Sequence, residues 1–326
     1  MSLPNINVVP GTGDVEAQKS QEQGSQPFGQ LEEKLQKALD KALYAGGSPA
    51  AQRLRNFLNG TWLGEPLHVV LTDVPVGAWT VAMVFDALSL SRSGHEFERA
   101  ADASIAIGLA GAACAAAAGL TDWSDVDPPA RRRGLIHGLL NISATALFAT
   151  SLIQRKRGRR SESQSQSGSQ RKDRRAAGRL SATLGYAVMA YASHLGGKLV
   201  YENRVGVDRT AGQPLPQDFV AVLAESELAE SKPTRAVHNG VPILLVRRGE
   251  RLFAMAETCS HFSGPLSEGK LDGDSIVCPL HNSRFALEDG RVLDGPAVHP
   301  QPCLEARARN GKIEVRGFRQ RRVPEA

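Results

Sequence analysis

The sequence predicts a multi-domain protein in which an N-terminal all-α four-helix transmembrane bundle precedes a C-terminal all-β domain. Two observations lead to this fold class. Four apolar windows of helical length lie between residues 69 and 199. From Asp218 onward the apolar residues fall instead in short runs rich in Val, Ile and Phe, separated by turn signals such as EDG and RNGK.

Changes in composition divide the chain into six segments. The first has too little apolar surface to offset the entropy of ordering, the second repeats Leu at every fourth position, and the fifth has the strand pattern. The predicted segments are a disordered tail (1–28), an amphipathic helical segment (29–60), a four-helix transmembrane domain (61–199), a polar linker (200–217), the β domain (218–318) and a basic tail (319–326).

The membrane prediction depends on the lengths of the four windows. A helix needs roughly 17–25 residues to cross a bilayer core, and the windows run over 69–90, 103–121, 134–153 and 180–199. The second and third contain no charged residue, and the second is rich in Ala and Gly, which let helices approach closely in lipid. The alternative is a soluble Ala-rich four-helix bundle, but its helices would each show a polar stripe.

The charge distribution limits which partners the protein can bind and where in the cell it can lie. The net charge is +5, yet the stretch from Arg155 to Arg179 alone has ten Lys and Arg against Glu162 and Asp173. From residue 217 onward, fifteen basic side chains balance fifteen acidic ones, so no folded domain offers the basic face that nucleic acid requires. We expect a multi-pass protein in the lipid bilayer of a bacterial cytoplasmic membrane. The basic stretch favours the cytoplasm as its own side, but the side of the β domain stays open.

Two Cys-His pairs in the β domain form the most specific motif of the chain. The spacing is Cys259-x-His261, sixteen residues, then Cys278-x-x-His281, with each pair in a turn region between strands. Two thiolates with two imidazoles form the ligand set of a Rieske [2Fe-2S] centre. Structural zinc is the competing interpretation, but zinc fingers favour a Cys pair followed by a His pair.

Residues 218–317 resemble the Rieske ferredoxin-like domain nearly end to end. The opening strands, the two ligand loops and the later Gly295-Pro296-Ala297, which is similar to the family's proline loop, occur in order. The resemblance implies that Cys259 and Cys278 hold one iron, whereas His261 and His281 hold the other through ring nitrogens.

Departures from the high-potential branch of that family suggest the subtype. The branch ties its ligand loops with a disulfide, but the corresponding positions here are Gly264 and Leu280. Ser283 takes the place of a hydroxyl that donates to a cluster sulfur, and Phe285 stands where the branch has tyrosine. We therefore expect a lower-potential, ferredoxin-like centre. Asn282 replaces the usual glycine after the second histidine, which predicts left-handed backbone there.

Polar residues near the ends of the apolar windows form a second candidate site. With four alternating spans, His68, His137 and His194, together with Asp73 and Asp122, fall on the membrane face from which the β domain emerges. They predict either a haem, metal or quinone site or an interhelical hydrogen-bond network. The motifs LHVVLTDVPVGAW, GLTDW and HLGGKLVYENRVGV resemble a bacterial membrane domain family of uncharacterised function, over about residues 60–210.

The sequence therefore predicts a membrane-tethered one-electron carrier rather than a stand-alone enzyme. Its expected partner is a redox protein or a quinone at the membrane, including the case of a membrane oxidoreductase or a multi-subunit oxygenase. A terminal oxygenase would need a mononuclear iron site in a large domain after the cluster, and only about eight residues follow the last predicted strand. A redox sensor, in which reduction alters the basic loop, is the third possibility.

Overall fold

The computed structural model describes residues 27–44, 48–90, 94–162 and 168–317. These residues form two compact units. One unit contains 27–43, 73–90, 94–116, 126–162 and 168–205, and the other contains 44, 48–72, 117–125 and 206–317. The predicted basic tail, and all but the last two residues of the predicted N-terminal tail, lie outside the described residues.

An N-terminal helical region confirms the predicted class for this half of the chain. The described residues form six α-helices: α1 (Pro27–Tyr44), α2 (Pro49–Asn59), α3 (Leu67–Leu88), α4 (Gly94–Ser124), α5 (Pro128–Glu162) and α6 (Gly168–Tyr201). The ends of α2 are set locally. Ser48 Oγ accepts from Ala51 N, Pro49 takes the first turn, and the left-handed backbone of Gly60, with φ of 84°, ends the helix.

Three helical stretches in the described part of the chain are long and apolar enough to cross a membrane. They are Leu67–Leu88, His95–Ser124 and Ala130–Arg159. Helix α6 covers the fourth predicted window but is not among them, because Ser, Thr, Tyr and His residues interrupt its apolar sequence. The predicted number of four transmembrane helices is therefore not confirmed.

Close packing around Trp79 organises the helical unit. The Trp79 and Phe148 rings stack with centroids 4.1 Å apart, and Trp79 Nε1 donates to the Ile105 carbonyl at 3.4 Å. A Cβ at Gly108 would lie only 2.2 Å from Trp79 Nε1. The small residues of the second window thus permit the close helix approach that the sequence predicts.

A cluster of buried ion pairs lies in the same unit. Arg155 is 1% exposed and donates from Nη1 to Asp86 Oδ1 at 2.7 Å and to Asp102 Oδ1 at 3.3 Å. Arg175 Nη1 lies 3.0 Å from Asp102 Oδ1, and Arg179 Nη2 lies 3.4 Å from Glu98 Oε1. In the sequence these three arginines are distinguished only as members of the basic stretch from Arg155 to Arg179. Their pairing with acidic side chains far away in the chain was not predicted.

Removing Arg155 is expected to destabilise the protein strongly. Arg155→Ala leaves Asp86 and Asp102 buried with less compensation, which costs about 3–5 kcal/mol for a broken buried pair. Thermal unfolding of the full chain in detergent should show a midpoint several degrees lower. Lys156→Ala, at the exposed neighbouring position, is the control and should leave the midpoint unchanged. Equal midpoints for both variants would contradict a structural role for the cluster.

The other unit carries the β domain, which confirms the predicted all-β class. Its ten strands are β1 (Val220–Ala224), β2 (Thr234–His238), β3 (Val241–Arg248), β4 (Arg251–Ala256), β5 (Lys270–Asp272), β6 (Ser275–Val277), β7 (Arg284–Ala286), β8 (Val292–Asp294), β9 (Cys303–Arg309) and β10 (Lys312–Gly317). They form a six-stranded sheet in the order β1-β10-β9-β4-β3-β2 and a four-stranded sheet in the order β5-β6-β7-β8. All paired strands within the two sheets are antiparallel.

Turn residues and the core fix this arrangement. The hairpins β2–β3 and β9–β10 turn at Asn239-Gly240 and Asn310-Gly311, where both residues have positive φ as tight hairpins require. Side chains from both sheets, including the buried Met255 and Phe285, share one core with Cys259 and Cys278. The loops after β4 and β6 therefore start from a rigid base.

Candidate metal centre

The first ligand loop follows β4 and closes on itself. Cys259 N donates to Gly264 O at 2.9 Å, and Ser263 N donates to Cys259 O at 3.0 Å. Ser263 has a left-handed backbone with φ of 60°. This tight closure turns the chain so that Cys259 and His261 lie on one side of the loop.

The second ligand loop, between β6 and β7, repeats the same geometry. Cys278 N donates to Ser283 O at 2.8 Å, and Asn282 N donates to Cys278 O at 3.2 Å. Asn282 has φ of 60°, which confirms the predicted left-handed backbone. Asn tolerates this conformation better than most residues. The equivalent role of Ser263 gave no recognisable signal in the sequence.

The four candidate ligands come together as two pairs. The thiols of Cys259 and Cys278 are within hydrogen-bonding reach of one another, and the His261 and His281 rings lie 5.1 Å apart at 87°. Both imidazoles are half-buried, whereas both thiols are buried. Within the described ranges, no three His, Cys, Asp or Glu side chains surround a single-ion site. A thiol pair beside an imidazole pair is the ligand arrangement of a two-iron centre.

The thiol pair is electrostatically prepared for ligation. The hydrogen bond from Cys259 lowers the pKa of Cys278 to about 7, and the amides of Leu280 and His281 act in the same direction. The same thiol–thiol hydrogen bond, together with burial, raises the pKa of Cys259 well above its usual range. One sulfur therefore holds negative charge readily, and thiolates are the form that binds metal.

The environment of His261 favours its neutral form. Burial is the largest cause of a pKa well below the usual histidine value, and the nearby His281 and the positive Arg55 and Arg209 add to it. Its Nδ1 atom is buried and has no hydrogen-bond partner. A neutral imidazole nitrogen that is buried without a partner next to two thiols is available to bind a metal. The donor set of two thiols and two imidazoles fits a [2Fe-2S] cluster.

Ser283 connects the second ligand loop to the loop at Gly295-Pro296-Ala297. Its side chain is fully buried, and its Oγ accepts from Ala297 N at 3.0 Å. Because Oγ acts as an acceptor in that bond, its hydrogen is left to donate in another direction. Phe285 stands where the high-potential branch has a tyrosine, and its ring is fully buried in the core.

Gly264 and Leu280 lie against each other between the two ligand loops. A Cβ at Gly264 would lie 3.1 Å from the Leu280 side chain and 2.7 Å from Cys278 Sγ. All four cysteines of the chain are free. The two positions thus face each other between the ligand loops. Any larger residue at 264 would push the loops apart.

Gln301 holds the first ligand loop and was missed by the sequence analysis. It is fully buried, and its Nε2 donates to the carbonyls of Ala256 and Thr258, each at 2.8 Å. Its Oε1 accepts from Ser260 N at 2.8 Å. Nothing in the local sequence HPQPC marks this role, because Gln301 acts across about 40 residues of chain.

The three candidate histidines of the helical region, His68, His137 and His194, have separate environments. His68 packs on Gly119, where a Cβ would lie 2.8 Å from the ring. His137 Nδ1 lies 2.9 Å from the Ala192 carbonyl, and its Nε2 lies 3.1 Å from Asn141 Nδ2. The exposed His194 has its ring 6.3 Å from that of Tyr191. The contact of His137 with Ala192 joins α5 to α6, whereas Asn141 lies on the same helix as His137.

Two cysteine–histidine loops on an antiparallel β fold define the C-terminal third of the chain as a Rieske-type iron–sulfur domain. Comparison with known families agrees: the model for the Rieske [2Fe-2S] domain matches residues 218–305, and the model for a predicted membrane protein domain, DUF2231, matches residues 64–209. The chain belongs to the Rieske [2Fe-2S] family, with its Rieske domain fused behind a DUF2231 domain. Both resemblances predicted from the sequence are thus confirmed.

Similar proteins include ferredoxins and a dioxygenase ferredoxin subunit. Ferredoxin CarAc of Metapseudomonas resinovorans is 32% identical over 31% of this chain and 95% of its own length. The anthranilate 1,2-dioxygenase ferredoxin subunit of Burkholderia cepacia is 34% identical over 28% of this chain and 85% of its own. A solved complex of reduced oxygenase and oxidized ferredoxin in carbazole 1,9a-dioxygenase has 32% identity, covering 31% of this chain and 94% of the matched chain, with a TM-score of 0.29.

Replacing any one of the four ligands is expected to abolish the centre. Cys259→Ser and His281→Ala should each remove bound iron, acid-labile sulfide and visible colour from the purified full chain, because one iron loses one of its two protein ligands in each variant. Cys303→Ser is the matched control: burial raises the pKa of Cys303 to about 12, and the thiol lies outside the ligand loops. Full iron and sulfide in Cys259→Ser would refute the ligand set.

Proposed function

We propose that the chain is a one-electron carrier of the membrane, with a single [2Fe-2S] cluster held by Cys259, Cys278, His261 and His281. The observation that carries this proposal is the meeting of two thiols and two imidazoles, with His261 Nδ1 buried and unpartnered. When bound, such a cluster supplies one-electron redox chemistry. Two neutral imidazoles in place of two thiolates make the oxidised centre less negative by two charges, which favours its reduction.

The names of the relatives support the carrier proposal. Those reported above are a ferredoxin and a dioxygenase ferredoxin subunit, and they match the Rieske domain over most of their own length. We therefore assign to this chain the supply of electrons to a redox partner protein. In the described residues, the half-buried rings of His261 and His281 are the most exposed parts of the ligand set and offer the route for the electron.

The helical domain supplies a membrane tether. Large apolar side chains such as Val81, Val84, Ile107 and Ile142 are exposed along the candidate spans, as lipid-facing residues are. We propose a multi-pass chain in which α6 joins the three candidate spans in the bilayer. Tethering raises the effective concentration of the carrier at the membrane, so the favoured partner is a membrane oxidoreductase or a quinone.

The centre is proposed to be of the lower-potential subtype. The ligand loops have no disulfide between them, and Phe285 offers no hydroxyl to a cluster sulfur. Ser283 is then the remaining side-chain hydroxyl at that site, with its hydrogen available to donate. Fewer donors stabilise the reduced state less.

Ser283→Ala should lower the reduction potential while the cluster stays bound. The expected change is about 65–130 mV, because a hydrogen bond to a charged acceptor contributes about 1.5–3 kcal/mol and a one-electron couple moves about 59 mV per tenfold change. Redox titration of the full chain measures this. Ser275→Ala, a buried serine that donates to the Asp272 carbonyl, is the control. An equal shift in both variants would exclude a specific donor at Ser283.

A haem, metal or quinone at His68, His137 and His194 is a second hypothesis. It would explain polar residues near the span ends, but both ring nitrogens of His137 have hydrogen-bonding neighbours in the protein. We therefore assign these histidines to helix packing. A haem bound by His137 would have to displace the contacts to Ala192 and Asn141.

One reductive titration tests both parts of the proposal. The full chain, purified in lipid nanodiscs, is expected to take up one electron per molecule from dithionite and to develop an EPR signal at low temperature. Iron and sulfide should each be present at about two per chain, and the absorbance spectrum should contain no haem bands. Binding of a single zinc ion without sulfide would overturn the carrier proposal. A haem spectrum lost in His137→Ala would restore the second hypothesis.

A further inference from the structure

Helix α2 is hydrogen-bonded to the edge of the metal centre within the same compact unit. Asn56 Nδ2 donates to Asp294 Oδ1 at 3.0 Å, and Asn56 Oδ1 accepts from Gly295 N at 2.9 Å. Gly295 begins the loop in which Ala297 donates to Ser283. One side chain of α2 thus holds the loop that supports the second ligand loop.

The contact around Gly295 is close enough to exclude a side chain there. A Cβ at Gly295 would lie 3.0 Å from Thr61 Oγ1 and 3.2 Å from Asn59 Nδ2. Asn59 is 2% exposed, at the last residue of α2. The end of the helix and the turn after it are therefore packed directly on this loop, rather than merely near it.

A buried ion pair ties α2 to the end of a candidate span as well. Arg55 Nη2 donates to Asp125 Oδ1 at 2.6 Å, with both side chains about nine-tenths buried. Asp125 directly follows Ser124, the last residue of α4. Breaking such a pair is costly because it leaves an uncompensated buried charge. Helix α2 is thus fixed at two points, the metal-centre loop and the end of α4.

The opposite face of α2 and the following turn is apolar and exposed. Leu54, Phe57, Trp62 and Leu63 are exposed by 48%, 55%, 62% and 40%. The Phe57 and Trp62 rings stack with centroids 5.9 Å apart. Three residues after Leu63 the chain passes Pro66 and enters the first candidate span at Leu67. The exposed apolar surface continues there with Val69 and Val70.

These features match a helix that lies in the headgroup region of a bilayer. Aromatic residues with a polar edge, such as Trp62, concentrate at membrane–water interfaces. Helix α2 has no acidic residue, and its Arg53 is exposed, which suits the phosphate groups of lipids. Its continuity with a candidate span favours lipid over a second protein as the cover of the apolar face.

We propose that α2 and the turn to Leu63 form an interfacial anchor that binds the lipid surface with one face and fixes the metal centre at that surface with the other. This inference rests on the proposed function. Because α2 covers the Asp294–Gly295 edge of the centre, the inference places the electron-transfer partner at the membrane. The carrier then works without leaving the bilayer surface.

Quenching by brominated lipid tests the lipid contact of Trp62. The full chain is placed in nanodiscs of phosphatidylcholine with or without bromine at the upper acyl carbons. The emission of the Trp62→Phe variant comes from Trp79 and Trp123 alone, and subtracting it from that of the wild type gives the Trp62 emission. The Trp62 emission is expected to fall at least twofold in brominated lipid. Full Trp62 emission in brominated lipid, together with quenching by aqueous iodide, would overturn the anchor. Protection from both quenchers would assign the face to a protein partner and also overturn it.

EPR of oriented membranes tests whether the anchor fixes the centre. In stacked bilayers of the wild type, the reduced signal should change with the angle between membrane and field. Asn56→Ala should lose most of that dependence at unchanged spin per chain, whereas Lys232→Ala, at an exposed position of the β domain outside the anchor, should keep it. Phe57→Gln, at an exposed position, should reduce the dependence even if Asn56→Ala fails to fold. A signal without angular dependence in the wild type overturns the anchor, and no signal at all overturns the proposed function instead.

Discussion

The structure depends on the close approach of two loops that each present one cysteine and one histidine. Each loop closes through a hydrogen bond from its cysteine N–H and a left-handed residue four positions later, Ser263 or Asn282. Gly264 leaves room for Cys278 Sγ between the loops, since a Cβ there would lie 2.7 Å from that sulfur. The shared core beneath them holds this approach. The thiol pair and the imidazole pair, and therefore any electron chemistry, follow from it.

Polar side chains outside the ligand set hold the two ligand loops in place through hydrogen bonds. Gln301 fixes the first loop through three backbone partners, and Ser283 fixes the second to Ala297. Asn56 then continues the chain of contacts to helix α2. Gln301 and Asn56 both donate and accept within the protein, as polar groups taken from water require, whereas Ser283 accepts from Ala297 N and keeps its hydrogen to donate. The ligand geometry is thus supported by hydrogen bonds up to the segment that leads into the membrane domain.

Features that depend on neighbouring residues were predicted from the sequence, whereas contacts between residues far apart in the chain were missed. The ligands, the left-handed Asn282 and the facing pair Gly264 and Leu280 follow from local spacing and from a family resemblance. Asn56 acts on Asp294 across 238 positions, and Arg155 pairs with Asp86 across 69. No local pattern distinguishes such residues from solvated ones. The fourth predicted span stays a prediction, because the polar residues of α6 weaken the only signal available for it.

Pulsed EPR on the reduced full chain, prepared with natural histidine and with 15N-labelled histidine, tests the central claim most directly. The account predicts two histidine nitrogens coupled to the unpaired electron, and both couplings should change with the isotope. Their assignment to His261 and His281 follows if replacing either residue removes the paramagnetic centre. A reduced centre without coupling to histidine nitrogen would contradict the account, since it would mean that other groups hold the iron.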